Sequence, residues 1–384
     1  MIPLSTPNLS GRESEYLQEC VTSTFVSSVG PYVNQFEDGV SRLAGADFGV
    51  ATSSGTTGLH VALVGVGVQS GDLVISPSFT FIATANAISH AGAVPWLIDI
   101  DAASWTIDPA LVRHELETNC KVVQGRTVHI PSGRRVAAML PVHVLGIPAD
   151  IGTLCEIARE WKLPIVVDAA AALGATFADR PIADQPVALS VFSFNGNKTI
   201  TCGGGGCVVG KDDRLMARVR HLTTTARNGP GYDHDEIGFN YRMTNLQAAV
   251  GCAQLENFTD YLAAKIRIKH RYDAAFAGSV YLPFPEPEGR TSACWLSGIV
   301  LPDPADADAL RERMRHSGIE ASSFWKPVHL QAPYAAAPRS GMTVCESLWR
   351  RIQTLPCSTH LSEADQSKVI SCIVDYFALG KKTG

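Results

Sequence analysis

No apolar run in this 384-residue chain approaches the roughly 18–20 residues that a membrane-spanning helix needs. The richest stretches, residues 60–68 and 137–144, stop well short of it. The opening Met-Ile-Pro-Leu-Ser-Thr-Pro lacks the basic and apolar segments of an export signal, so a cytoplasmic location is expected. No block of Lys or Arg is long enough to track a phosphate backbone, and the formal net charge is −5. Nucleic acid and anionic membranes are therefore not expected partners. The chain has no C-x-x-C pair, no H-E-x-x-H and no Cys/His cluster with ligand spacing, so no metal site is expected. Its ten cysteines lie scattered from Cys20 to Cys372, mostly inside apolar segments. That pattern uses thiols as small core residues in a reducing compartment. The G-V-G-V-Q-S run at 65–70 lacks the third glycine and the leading strand of a dinucleotide fingerprint. G-N-K-T at 196–199 lacks the earlier glycine of a P-loop.

Hydrophobic residues make up 46% of the chain and charged residues 18%, which is globular and rich enough for a core. The length exceeds what one core usually organises, so two domains are expected, at 1–250 and 251–384. From about residue 47 to 210, short β-branched runs alternate with helical patterns. Strands are predicted at 48–51, 73–76, 94–98, 136–141, 164–167, 188–194 and 206–210. Helices are predicted at 57–67, 81–91, 108–117 and 150–161, with a surface hairpin or excursion at 119–135. Such alternation predicts an α/β domain around a mainly parallel sheet. Later come helical patterns at 246–262 and 265–276 and a Pro-rich edge or linker at 282–289. A strand at 294–301 and helices at 306–317 and 363–377 complete a smaller α+β domain.

Three strand ends carry chemistry. The strand ending at Asp168 puts an acid at the carboxyl edge of the sheet, where open α/β folds bind ligands; an N-cap role is the bland alternative. Lys198 follows the next strand inside apolar sequence, where desolvation would leave its amine free to condense with a carbonyl; a solvated surface lysine is the alternative. The A-T-S-S-G-T-T-G loop at 51–58 offers backbone N–H groups and hydroxyls at a helix N-terminus, suited to a phosphate or simply to capping. Phe79 and Phe81 follow a strand and are either core residues or a stacking surface. A phosphate cradle, a strand-end acid and a nearby lysine together match the needs of pyridoxal 5′-phosphate (PLP).

The sequence resembles the PLP-dependent sugar-nucleotide aminotransferases of the DegT/StrS type over nearly its whole length. V-A-T-S-S-G-T-T-G-L-H-V-A-L (50–63), P-S-F-T-F-I-A-T-A-N-A-I (77–88) and P-V-H-V-L-G (141–146) carry the likeness. It continues in V-V-D-A-A-A-A-L-G (166–174), F-S-F-N-G-N-K-T-I-T-C-G-G-G-G (192–206) and G-F-N-Y-R-M-T-N-L-Q-A-A (238–249). The resemblance implies fold type I, the aspartate aminotransferase-like α/β fold. The opening P-L-S-T-P-N-L-S-G-R-E, F-V-S-S-V-G at 25–30 and S-F-N-G-N-K at 193–198, with four glycines after it, are most similar to one branch. That branch aminates UDP-linked 4-keto-6-deoxy-N-acetylhexosamines on routes to bacillosamine and legionaminic acid type sugars. A GDP- or dTDP-linked 4-ketohexose of the perosamine type is the alternative substrate. A PLP-dependent sugar dehydratase replaces the lysine, which Lys198 argues against; a non-catalytic regulatory protein on the same fold is the remaining reading.

By resemblance, Lys198 would hold PLP covalently and Asp168 would pair with its ring nitrogen. Ser54, Gly55, Thr56 and Ser193 would bind the phosphate, Phe81 would stack on the ring, and Asn240 would reach the phosphate from a neighbouring subunit of a homodimer. Ser27, Ser28, Arg242 and His329 are candidate substrate contacts, with L-glutamate the expected amino donor. His143 is expected to be structural. Two positions depart from the family: Ala171 stands where a polar residue is common, and Thr24-Phe25 replaces a more usual Gly-Trp.

Overall fold

The chain is described here by a computed structural model covering residues 1–380. Residues 381–384, the end of the expected smaller domain, lie outside the described residues. Seven strands build the main sheet: β1 Phe48–Thr52, β2 Leu73–Pro77, β3 Val94–Ile98, β4 Val136–Met139, β5 Val166–Asp168, β6 Leu189–Ser193 and β7 Gly206–Gly210. Their order is β3-β2-β4-β5-β6-β7-β1, with β4 and β5 joined by bridges from Met139 to Ile165 and from Val142 to Asp168. β7 alone runs against its neighbours, antiparallel to both β6 and β1. The other six strands end at one edge, and that edge collects the chemistry.

Both faces of the sheet are covered, which is why its strands read as continuous apolar runs. Val208 of β7 packs in one core with Leu59 and Leu63, while Cys207 and Val209 pack in another with Phe36 and Val40. The helices are α1 Glu13–Ser23, α2 Pro31–Ala44, α3 Gly55–Gly65, α4 Ile82–His90, α5 Pro109–Asn119, α6 Ile151–Trp161, α7 Asp213–Thr223, α8 Asn245–Glu256 and α9 Phe258–Phe276. Side-chain caps set several starts: Asp108, Asp150, Asp212 and Thr244 each accept a backbone N–H from the first turn, typically contributing about 1 kcal/mol. The predicted excursion is a hairpin of Cys120–Val123 on Arg126–His129. All ten cysteines are free and buried. No helix among the described residues is long and apolar enough to cross a membrane.

One helix boundary differs from the sequence reading. The break falls at Asn257, between α8 and α9, rather than near residue 263. Asn257 leaves helical geometry at φ −101° and ψ 6°, and its side-chain amide donates to Ala253 O. Local hydrogen bonding of this kind competes with the helix ladder. Phe258 and Tyr261 are both buried and continue the apolar spacing across the break, so periodicity alone hides it. The 250/251 boundary expected from sequence falls inside α8. Beyond α9, β8 Leu282–Pro283, β9 Ser297–Val300 and β10 Ile352–Leu355 form a small antiparallel sheet in the order β8-β9-β10. The Pro-rich stretch thus supplies an edge strand, where proline is tolerated. Helices α10 Pro304–His316, α11 Thr343–Leu348 and α12 Glu363–Gly380 accompany it.

Candidate active site

Asp168 is the last residue of β5 and is buried, 5% exposed as a residue. Oδ2 accepts from Thr84 Oγ1 at 2.7 Å and Oδ1 from the Ala170 backbone N–H at 3.1 Å. Because Thr84 gives its proton to the carboxylate, Thr80 must donate in the 2.8 Å contact between the two threonine hydroxyls. Burial pushes the Asp168 carboxyl up from its ordinary range, while Thr84, Ala170 and the charge of Lys198 pull it back. A buried carboxylate held by neutral donors is poised to meet a cation.

The helix α3 starts beside it. Ser54 caps the helix, its Oγ accepting from Thr57 N at 3.1 Å while Thr57 Oγ1 accepts from Ser54 N at 3.0 Å. Within the first turn, the N–H groups of Gly55 and Thr56 have no intrahelical acceptor, and the helix dipole favours an anion in front of them. Ser193, the last residue of β6, closes this corner. A Cβ added at Gly55 would lie 2.8 Å from Ser193 Cβ, so the close approach of helix to strand requires glycine. The cradle is shaped by backbone.

Lys198 sits in the turn after β6, its N–H donating to Asn195 O at 3.0 Å. Its Nζ stands 3.5 Å from the centroid of the Trp295 ring. Burial pushes the amine down to about 8, Asp168 opposes that shift, and the positive charge of Lys265 adds to it. At pH 7.5 roughly a quarter of such amines are neutral, against about one in a thousand for an ordinary lysine. The lysine is thus a usable nucleophile as well as a cation resting on an aromatic face.

Trp295 is itself fixed from both ends. Its indole N–H donates to Asn197 O at 2.7 Å, and its carbonyl accepts from the buried Lys265 Nζ at 3.0 Å. It stacks on Trp325 at 5.8 Å, and Trp325 in turn meets Phe81 at 5.8 Å. Neither tryptophan was singled out from the sequence, nor was Thr84. The tryptophans arrive from the C-terminal part of the chain with no local motif. Thr84 sits within a quoted segment but looks like an ordinary helix residue.

Asp168, Lys198, Ser54, Gly55, Thr56, Ser193 and Phe81 all line one cavity of about 310 Å³, together with Thr84, His143, Ala171, Trp295 and Trp325. The other five expected residues lie elsewhere. Ser28, Asn240 and Arg242 line a separate surface depression with Thr224 and Arg227. The 240–242 segment is stitched to the end of β1 by the Thr52–Arg242 bridge and the bond from Ser53 N to Tyr241 O. Ser27 is exposed, and its carbonyl accepts from Asn245 N at 2.6 Å. His329 is buried and lies outside the lining of the cavity that holds Lys198. Its Nδ1 contacts Ser78 Oγ at 2.7 Å and its Nε2 contacts Glu346 at 2.9 Å. Ser78 and the His329 ring are buried, while the Glu346 side chain is half exposed.

A lysine with a depressed pKa, a buried acid and a helix N-terminus facing a cavity fit PLP, and on this sheet they define a PLP-dependent transferase of fold type I. The profile of the DegT/DnrJ/EryC1/StrS aminotransferase family matches residues 7–374, and the chain belongs to that family. It is 34% identical to the GDP-perosamine synthase of Caulobacter vibrioides over 97% of both chains. It is 33% identical to EpsN of Bacillus subtilis, described as a putative pyridoxal phosphate-dependent aminotransferase, over 98% of this chain and 96% of the other. A DegT/DnrJ/EryC1/StrS aminotransferase from Brucella abortus superposes with a TM-score of 0.87 at 29% identity, covering 95% of each chain. The protein is therefore a PLP-dependent aminotransferase.

Proposed function

We infer that the protein transfers an amino group from an amino acid, L-glutamate by resemblance, to C4 of a nucleotide-linked 4-keto-6-deoxysugar for bacterial surface-glycan synthesis. The observation that carries this reading is the meeting of Lys198, Asp168 and the α3 N-terminus in one cavity. PLP supplies an electron-withdrawing ring that carries the amino group and spreads the charge left on a deprotonated carbon. Lys198 Nζ would hold PLP covalently, and its amine would serve as the general base at the donor α-carbon. Asp168 would hold the proton on the ring nitrogen. The N–H groups of Gly55 and Thr56, with Ser193, bind the phosphate, and Ser54 keeps that helix end in shape. Phe81 would cover the ring, and Trp325 and Trp295 extend the apolar wall that would exclude water. The partner subunit's Asn240 completes the phosphate site in a homodimer, a reading supported by its surface position outside its own cavity.

For the acceptor, the N-terminal segments and 25–30 favour a UDP-linked 2-acetamido-2,6-dideoxy-4-ketohexose. The likeness to GDP-perosamine synthase favours a GDP-linked 4-ketohexose equally. Borohydride reduction of the PLP-loaded protein should fix the cofactor on the peptide containing Lys198, and Lys198→Ala and Lys198→Arg should both be inactive. A panel of UDP-, GDP- and dTDP-linked 4-ketosugars then ranks the acceptors by kcat/KM. Label on another lysine would remove the mechanism, and no turnover with any of the panel would remove the substrate class.

A further inference from the structure

Lys265 lies on α9 and is 1% exposed. Its Nζ donates to Trp295 O at 3.0 Å, to Cys357 O at 2.7 Å and to Cys357 Sγ at 3.6 Å. Three acceptors suit the three protons of an ammonium. All three are neutral, and no carboxylate pairs with the amine among the described residues. Trp295 leads into β9 and Cys357 follows β10, so the contacts join two strand ends of the small sheet. A buried charge is costly unless it is paired, and a tie between two carbonyls does not need one. The cation calls for a further role.

On the other side of Trp295 stands Lys198. The backbone between them is held against its own preference: Cys294 is in the left-handed region at φ 50°, unfavourable for a residue with a Cβ. Such strain persists where surrounding contacts enforce it. Here the Ala293 N–H donates to Gly146 O at 3.0 Å, in the loop after β4 whose residues 142–145 line the cavity. With that turn made, the indole N–H reaches Asn197 O and the ring centroid lies 3.5 Å from Lys198 Nζ. Given the functional reading above, in which Lys198 binds PLP, we propose that Lys265 is a positioning residue for Lys198. By holding Trp295 it keeps in place the indole face on which the Lys198 amine rests whenever that amine is not bonded to the cofactor.

A free Lys198 amine has to pass between cation and nucleophile. The indole face receives the cation without a counter-ion, and the Lys265 charge behind it works against protonation. The other titratable groups around the cavity are Asp168 at the end of β5, which favours the cation, and His143 after β4, kept neutral by burial. Trace acetylation of the PLP-free, full-length protein by acetic anhydride, read by mass on the peptide containing Lys198, follows the neutral amine against pH without cofactor or turnover. The parent midpoint should lie near 8. Lys265→Met keeps the side-chain length and removes the charge, and the midpoint should rise by about half a unit or more. Lys265→Arg keeps charge and donors and should stay with the parent. An unmoved midpoint in folded Lys265→Met, or an equal rise in Lys265→Arg, would leave Lys265 a structural tie and overturn the proposal. Should Lys265→Met not fold, Lys265→Gln, which keeps two donors for the two carbonyls, takes its place. In the PLP-free parent, the Trp295 indole N–H resonance, assigned by its loss in Trp295→Phe, should titrate with the amine and lose that step in Lys198→Met. A resonance without the step rejects the resting place. If borohydride fixes PLP on another lysine, the functional reading fails, while the acetylation midpoints are unaffected by that result.

Discussion

Replacing Thr84 with Val tests the carboxylate around which the site is built. Thr84 supplies the shorter of the two hydrogen bonds to Asp168, at 2.7 Å against 3.1 Å from Ala170. Valine keeps the shape and the burial and removes the donor. A hydrogen bond to a charged acceptor contributes about 1.5–3 kcal/mol, and one pKa unit corresponds to about 1.4 kcal/mol. The carboxyl, already raised by burial, is therefore expected to rise further. If Asp168 pairs with the ring nitrogen of PLP as proposed, a more basic carboxylate would compete harder for the shared proton and the nitrogen would be protonated less of the time. The expected result is a fall in kcat of roughly 10- to 100-fold, with PLP occupancy and KM for the sugar near the parent's, since Thr84 acts through Asp168. Thr84→Ser retains the hydroxyl and should recover most of the rate. The assay is steady-state turnover at saturating PLP, with occupancy measured from cofactor released in alkali. An unchanged kcat in fully loaded Thr84→Val refutes the reasoning, as does a Thr84→Ser variant equally slow.

Thr24 ends α1 in the left-handed region at φ 65°, with its N–H donating to Val21 O. Thr24→Gly should relieve that strain and stabilise the protein by about 0.5–1 kcal/mol, read as a Tm higher by roughly 1–2 °C; a lower Tm would show that the threonine side chain contributes more than its backbone costs. Under the proposed shared site, Asn240→Asp would set a carboxylate against the partner's PLP phosphate, and mixing it with inactive Lys198→Ala should restore activity once subunits exchange. One site of each heterodimer then carries neither defect, giving about half the parent activity per heterodimer if sites act independently. No recovery, despite demonstrated heterodimers, would remove the shared site.

The sequence by itself determined the sheet and the chemistry at its edge. Strands buried on both faces must be apolar along their length, so β1 to β7 appear as runs that need no partner to be recognised. Asp168 and Lys198 were legible because polarity breaks those runs at strand ends, and the α3 cradle because Ser, Gly and Thr cluster before a helix. Local chemistry was also enough to expect PLP. Tertiary structure decided what local patterns do not encode. In α1 the buried apolar residues are Tyr16 and Cys20 alone, a stripe that gains meaning only where the helix docks on α8. The break at Asn257 was hidden because apolar spacing runs through it. Trp295 meets Lys198 across 97 positions only because the small sheet and Lys265 bring it there. His329 lies outside the cavity lining, its ring between Ser78 and Glu346, which are 251 and 17 positions distant in sequence. The free Nε2 of His143 exists because Nδ1 is taken by Ala149 and no described side chain reaches the other nitrogen. A sequence states which groups are available; which remain unpaired depends on how the distant parts of the chain pack, since each buried polar group must find its partner in three dimensions.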